Sequence, residues 1–317
     1  MNENRITEIL KAFEFYDKEY KREEVEAAVE LQEEITPHLM AVLEEILANP
    51  SEYASNRTYF THMYAVVLLA YFEEQAAHRV IIDLFSLPGE IPDQLFGDMT
   101  TEMLPTLLIK TCGGELDLIK SFALNKEANQ YCRGSALQAM VLAVADGMIT
   151  REDALAFFAP LFTGNEAEPD SLFWSMLATY VNDLYPEELL DVINQAYEDK
   201  LIQSFFIGYD EFQRSLKMGK EKTLMKLPDK LRMFSPHNVH DYLSSWACFN
   251  QNQSSLLDVA MLAAASKKAS KKKVSSRKRT PSKKATIPKS GEISKSSPLP
   301  TKRKKKKSKA SRKKKKR

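Results

Sequence analysis

The stretch YFTHMYAVVLLAYF, residues 59–72, decides the fold of this chain. Only Thr61 and His62 are clearly polar in it, so a helix built from it is apolar on nearly every side. Such a helix must be covered from several directions, which places it in the middle of a helical stack. Its unbroken apolar run, MYAVVLLAYF at 63–72, is about half of what a membrane span requires.

Amphipathic stripes extend outward from it on both sides. Toward the N-terminus, Ile6, Ile9, Leu10, Phe13, Tyr16 and Tyr20 recur at spacings of three and four, predicting one helix face over 6–20. A second helix is expected over about 23–34. Thr36 then reads as an N-cap with Pro37 at the first helical position, and Leu39, Met40, Leu43, Ile46 and Leu47 form the stripe that Asn49-Pro50 ends.

Toward the C-terminus, a polar break at 73–75 leads to a helix over 77–86, the antiparallel partner of 59–72. LPGEIPDQLFGDMT, 87–100, carries two Pro and two Gly and cannot be one regular element. A helix over 101–110 ends at Cys112-Gly113-Gly114, and Leu116, Ile119, Phe122 and Ala123 mark a shorter one. Pairs follow at about 128–146 with 151–163 and 171–184 with 187–200. Thr150 and Asp153 resemble a capping box, and Pro186 before Glu187 and Glu188 is a good helix start. A helix over 209–225, a loop over 227–240 and a last helical stretch from Asp241 to Ala265 complete the expected elements.

The first helices of these pairs recur every 32 to 41 residues or so, the range of HEAT-like helical hairpins. The predicted fold class is all-α, a HEAT-like helical-hairpin solenoid with a disordered basic C-terminal tail. Its expected parts are N-terminal helices (1–58), central repeats (59–205), C-terminal helices capping the stack (206–265) and a Lys/Arg-rich tail (266–317).

Charge divides the chain more sharply than periodicity does. Residues 266–317 hold 25 of its 45 lysines and arginines and one of its 43 acids, so that segment carries about +24 and residues 1–265 about −22. Basic residues interleaved with Ser, Thr, Pro and Ala bury too little apolar surface to offset chain entropy, hence the expected disorder.

The expected polyanion contacts are Lys271, Lys272, Lys273, Arg277, Lys278, Arg279, Lys283, Lys284, Lys302, Arg303, Lys304, Lys305, Lys306, Lys307, Arg312, Lys313, Lys314, Lys315, Lys316 and Arg317. Without Phe, Tyr, Trp or His among them, base stacking is unavailable, and nucleic acid binding should be salt-sensitive and sequence-independent. Acidic lipid is another acceptor, and the tail closing on its own acidic body is a competing reading. Ser276, Thr280, Ser282 and Ser308 are positions where phosphorylation would subtract charge. The strings at 277–284 and 302–309 read as import signals only for a protein delivered into a host cell.

YFTHMYAVVLLAYF, LPGEIPDQLFGD, ANQYCRGSALQAM and DLYPEELLDVINQAYEDKLI, in this order, resemble a bacterial family catalogued only as domain of unknown function 1186. The resemblance covers roughly residues 22–225 and implies a HEAT-like fold and a bacterial source, with no mechanism. Some members of that family end in a short Cys/His zinc module of the SEC-C type. This chain has the lysine-rich segment in its place, so no metal role carries over.

No catalytic signature stands out. Cys112, Cys132 and Cys248 form no CxxC pair and read as reduced, mostly buried thiols of a cytosolic-type protein. GKEKT at 219–223 lacks the glycine-rich strand context of a phosphate loop. His237, His240 and Asp241 form HxxHD without a third ligand cluster, and His62 and His78 read as core histidines. Glu90, Asp93 and Asp98 in the 87–98 loop are candidates for anchoring a partner or for an enzyme site, against the plainer role of turn caps. The acids Glu23, Glu24, Glu26, Glu30, Glu33, Glu34, Glu44 and Glu45 are either a docking face or ordinary solvated helix faces.

No metal and no cofactor are expected, nor a secretory signal peptide. The leading expectation is a cytoplasmic bacterial adaptor, nucleoid-associated if its tail holds DNA, that binds a protein partner through its helical body and nucleic acid through its tail.

Overall fold

The computed structural model describes residues 2–234 and 238–250, and every regular element among them is helical. The N-terminal helices are α1 (Asn2–Phe13), α2 (Arg22–Glu30), α3 (Gln32–Ala48) and α4 (Pro50–Ser55). The central ones are α5 (Thr61–Tyr71), α6 (Ala77–Phe85), α7 (Ile91–Phe96), α8 (Met99–Glu102), α9 (Leu104–Thr111), α10 (Asp117–Leu124), α11 (Gln130–Ala145), α12 (Arg151–Phe158), α13 (Phe173–Asp183) and α14 (Leu190–Glu198). They are followed by α15 (Tyr209–Met218), α16 (Lys220–Leu224), α17 (Leu227–Phe234) and α18 (Val239–Ser244).

The apolar stretch that singled itself out becomes α5, buried from Thr61 through Ala70 with Met63 half-exposed. It lies between α3 and α9; α9 packs on α11, and α11 on α13, so the first helix of each hairpin forms one layer. The second helices flank that layer: α6 rests on α3 and α9, and α10 on α11 and α6. α11, the longest of the central helices, is buried at almost every position from Cys132 to Ala143, as a helix covered on several sides must be.

Four polar bridges between hairpins share one spacing. His62 bonds the carbonyl of Leu95, His78 the hydroxyl of Thr111, Arg133 the carbonyl of Glu166 and Arg151 the carbonyl of Leu184, each 33 residues further on. Each of the four satisfies a backbone or hydroxyl group that packing would otherwise bury unpaired. Other bonds between successive hairpins span more, such as Ser171 to Gln130 at 41 residues and Tyr180 to Gln138 at 42. The Thr150–Asp153 cap is present: the Asp153 N–H donates to the Thr150 hydroxyl at 3.1 Å.

Three local readings are corrected. α1 stops at Phe13, and Tyr16 and Tyr20 leave the helix: Tyr16 packs on Phe60 at 5.3 Å between ring centroids and Tyr20 on Phe249 at 5.7 Å. Aromatic burial against distant rings overrides the helical spacing, and Lys18 takes φ 72° in the linking segment. Thr36 and Pro37 do not start a helix: Pro37 lies inside α3, and the Thr36 hydroxyl donates to the Gln32 carbonyl at 2.7 Å. The expected loop at 227–240 contains α17, which Pro228 and Asp229 favour in its first turn.

After α14 the chain doubles back. α15 packs on α13, α17 on α11, and α18 on α2 and α5, so residues 239–250 meet the N-terminal helices. Lys230 pairs with Asp183, and Trp246 and Phe249, stacked at 6.1 Å, pack against Phe60. Residues 251–265 of the expected last helical stretch, and the whole 266–317 segment, lie outside the described residues.

Candidate functional site

The returning segment closes one side of an open cleft of about 1110 Å3. Its other walls come from α4, the start of α5, and the α7–α8 region. Gly97, at φ 54°, shapes that last wall: a positive φ in the break between α7 and α8 lets the chain turn within two residues, and glycine takes it without strain. Tyr53, Tyr59, Phe60, Phe96, Tyr242 and Trp246 line the cleft with aromatic surface, and Met63, Met99 and Met103 add thioether contacts.

Four carboxylates lie along it: Glu90, Asp93, Asp98 and Glu102. Among the described residues of its lining, Arg57 is the one lysine or arginine. The three acids that sequence reading singled out in the 87–98 loop are thus brought to one cleft. Asp93 also accepts a hydrogen bond from the Asn129 amide at 3.1 Å, while Glu90, Asp98 and Glu102 are exposed. Glu102, which the sequence reading left out, lies one helical turn beyond Asp98: its N–H donates to the Asp98 carbonyl at 2.9 Å, and a spacing of four from Asp98 could have found it.

His62 sits deep in the wall, 4% exposed. Its ring stacks on Tyr59 at 5.7 Å and meets Phe96 edge-on at 5.3 Å. Nε2–H donates to the Leu95 carbonyl at 2.6 Å, since a carbonyl can only accept. Nδ1 is then a bare lone pair, and it has no hydrogen-bond partner. Burial holds the imidazole neutral by pushing its pKa down to about 4.

Tyr20, His240 and Glu26 form a second cluster that no local pattern announces. The Tyr20 hydroxyl lies 2.6 Å from His240 Nδ1, and Nε2 of that ring reaches Glu26 at 2.5 Å. Burial pushes the Tyr20 phenol up to about 12, so it stays protonated and donates to Nδ1, which leaves the ring's N–H on Nε2 to donate to the Glu26 carboxylate. This chain of bonds latches α18 to α2. His240 is therefore engaged, while His237 lies outside the described residues.

Arg151 grips Glu188 and the carbonyls of Leu184 and Tyr185, and Arg133 lies 4.1 Å over the Phe173 ring while donating to Ala123 and Glu166 carbonyls. Burial raises the thiol pKa of Cys112 and Cys248 and takes that of Cys132 up to about 12, the reverse of what a nucleophilic cysteine needs. Among the described residues no group of three or more His, Cys, Asp or Glu is placed to hold a metal ion. Nor is any helix among them long and apolar enough to cross a membrane. All twenty basic residues expected to contact a polyanion fall outside the described residues.

The profile of the family described as protein of unknown function (DUF1186) matches residues 4–250. The chain belongs to this family. An uncharacterized protein of Chlamydia trachomatis serovar D is 32% identical over 208 residues, which is 66% of this chain and 82% of that relative. One from Chlamydia muridarum is 31% identical over 208 residues, 66% of this chain and 83% of the relative. No solved structure matches. The family match spans the helical body, the cleft and the returning α17–α18 segment, and stops short of the basic stretch at 266–317.

Proposed function

We propose that this DUF1186 protein is a non-enzymatic adaptor. Its helical body offers the acidic, aromatic-walled cleft to a protein partner, and its C-terminal basic segment holds nucleic acid through phosphate charges. The observation that carries the reading is the segregation of charge: about +24 in the last 52 residues against about −22 in the rest. Phosphate neutralisation releases counterions, so affinity for a polyanion falls steeply with salt and depends little on base sequence. In the cleft, exposed carboxylates and aromatic faces offer binding surface, and the thiol that reaches it, Cys248, has a raised pKa.

The test is retardation of a short DNA duplex and of an RNA of equal length by the full-length protein, from 50 to 300 mM NaCl, scaled to the ionic range over which such contacts respond. A variant with Lys302–Lys307 and Arg312–Arg317 changed to Gln removes twelve of the 25 basic charges in 266–317, and its log–log salt slope should fall by about half. An unchanged slope would reject the assignment of nucleic acid to this segment.

A further inference from the structure

We infer that the corner of the body formed by α15, α16 and the start of α17 is a second nucleic acid contact, at which Lys217, Lys222 and Lys226 bind backbone phosphates. The inference rests on the proposed affinity of this protein for nucleic acid and assigns part of it to the folded body.

The first observation is a reversal of charge inside an acidic body. Seven of the 20 lysines and arginines of residues 1–265 fall within residues 214–232, against two of the 42 acids. That stretch carries about +5, which leaves about −27 for the rest of the body. A polyanion is repelled from an acidic surface, and this stretch is where the sign changes.

The second observation is which of these cations are already committed. Arg214 pairs with Asp210 and Glu211 of its own helix, Lys220 with Glu152 of α12, and Lys230 with Asp183 of α13. Lys217, Lys222 and Lys226 are exposed and make no ion pair among the described residues. Lys226 lies within electrostatic reach of Asp183, which Lys230 already holds. Glu221 is the single acid between Arg214 and Pro228.

Local geometry gathers the three free lysines. Gly219, at φ 90°, turns the chain between α15 and α16, and α16 packs on α15. The Met225 N–H donates to the Glu221 carbonyl at 2.9 Å, so the helical turn continues past α16 and brings Lys222 and Lys226, four apart, to one side.

The same stretch selects the class of partner. Thr223 and Leu227 are buried and Leu224 is half-buried, so Met225, 74% exposed, is the one large apolar side chain presented over 220–230. A segment that lies in a lipid surface needs a broad apolar face, which is lacking here. No Phe, Tyr, Trp or His occurs in 213–232, so bases have nothing to stack on. Lysines as point charges then hold phosphates without reading sequence.

The experiment measures the affinity of the full-length protein for a fluorescent DNA duplex by anisotropy across a series of NaCl concentrations. Lys217→Gln, Lys222→Gln and Lys226→Gln together should make the log–log salt slope shallower by about 2 to 3, because each phosphate contact contributes about 0.9. Lys11→Gln, Lys18→Gln and Arg57→Gln, exposed positions outside this corner, remove equal charge and should leave the slope unchanged. Equal changes in the two sets, or no change in either, would overturn the inference.

Reductive methylation read by mass spectrometry gives a second measurement on the unaltered protein. Excess duplex should slow modification of Lys217, Lys222 and Lys226 several-fold and leave Lys11 and Lys18 as they were; no slowing would overturn the contact. Poly-glutamate and phosphatidylserine vesicles should not protect the three lysines, and protection by either one equal to that of the duplex would overturn nucleic acid as the partner. The 302–317 variant keeps these lysines and the present variant keeps the basic segment, so either assignment can fail while the other stands.

Discussion

At pH 5 the neutral, buried His62 should cost the fold about 2 kcal/mol that it does not cost at pH 7. The ring is 4% exposed and held between Tyr59 and Phe96, and burial takes its pKa from 6.5 to about 4 in the folded chain. As pH falls below 6.5 the unfolded chain takes up the proton first. The stabilising difference is thus fully present above 6.5 and is lost as pH falls toward 4, with a limiting value of about 3 kcal/mol.

The perturbation that isolates this group is His62→Gln, whose amide can still donate to the Leu95 carbonyl but has no proton to gain. Urea unfolding of both proteins at pH 7, 6 and 5 gives the assay. From pH 7 to pH 5 wild type should lose about 2 kcal/mol more than the variant. His78, whose pKa burial also lowers to about 4, titrates in both proteins and cancels in the difference. Parallel curves for the two proteins would refute the assignment of a desolvated, neutral imidazole at this position.

Two further substitutions test the connections between distant parts of the chain. Arg151→Met removes the guanidinium from two carbonyls beyond α13 and from Glu188, and should cost about 3 kcal/mol in urea unfolding; a cost below about 1 kcal/mol would show that water replaces those bonds. Trp246→Ala strips the half-buried ring that packs on Phe60, Tyr242 and Phe249, with an expected cost of about 2 kcal/mol. Amide exchange should then accelerate over 238–250 while α9 and α11 keep their protection, and acceleration spread evenly over all helices would contradict a locally docked segment.

The legible part of the fold was carried by helices whose burial is written into their own composition. Residues 59–72 announced a covered helix because almost no polar side chain is available to face water, and α5 is buried accordingly. The Thr150–Asp153 cap and the Asn49-Pro50 stop were legible for the same reason, since the groups involved lie within a turn of each other. Tyr16, Tyr20 and Pro37 misled because neighbours fixed by packing prevailed over weak local preference. In the candidate site, Glu90, Asp93 and Asp98 stood out as acids in a loop broken by Gly and Pro. Glu102 follows Asp98 by one helical turn and was locally legible, whereas nothing local connected these acids with the spare nitrogen of His62 or with Trp246.

What the amino-acid order determined alone was a train of helical hairpins and the opposition of an acidic body to a basic end, because periodicity and charge are properties of neighbours along the chain. Only the tertiary structure decided that α17 and α18 turn back, that His240 meets Tyr20 and Glu26, and that a carboxylate-lined cleft opens beside Trp246. Contacts between residues more than two hundred positions apart depend on the accumulated path of every helix between them, and no short segment encodes that path.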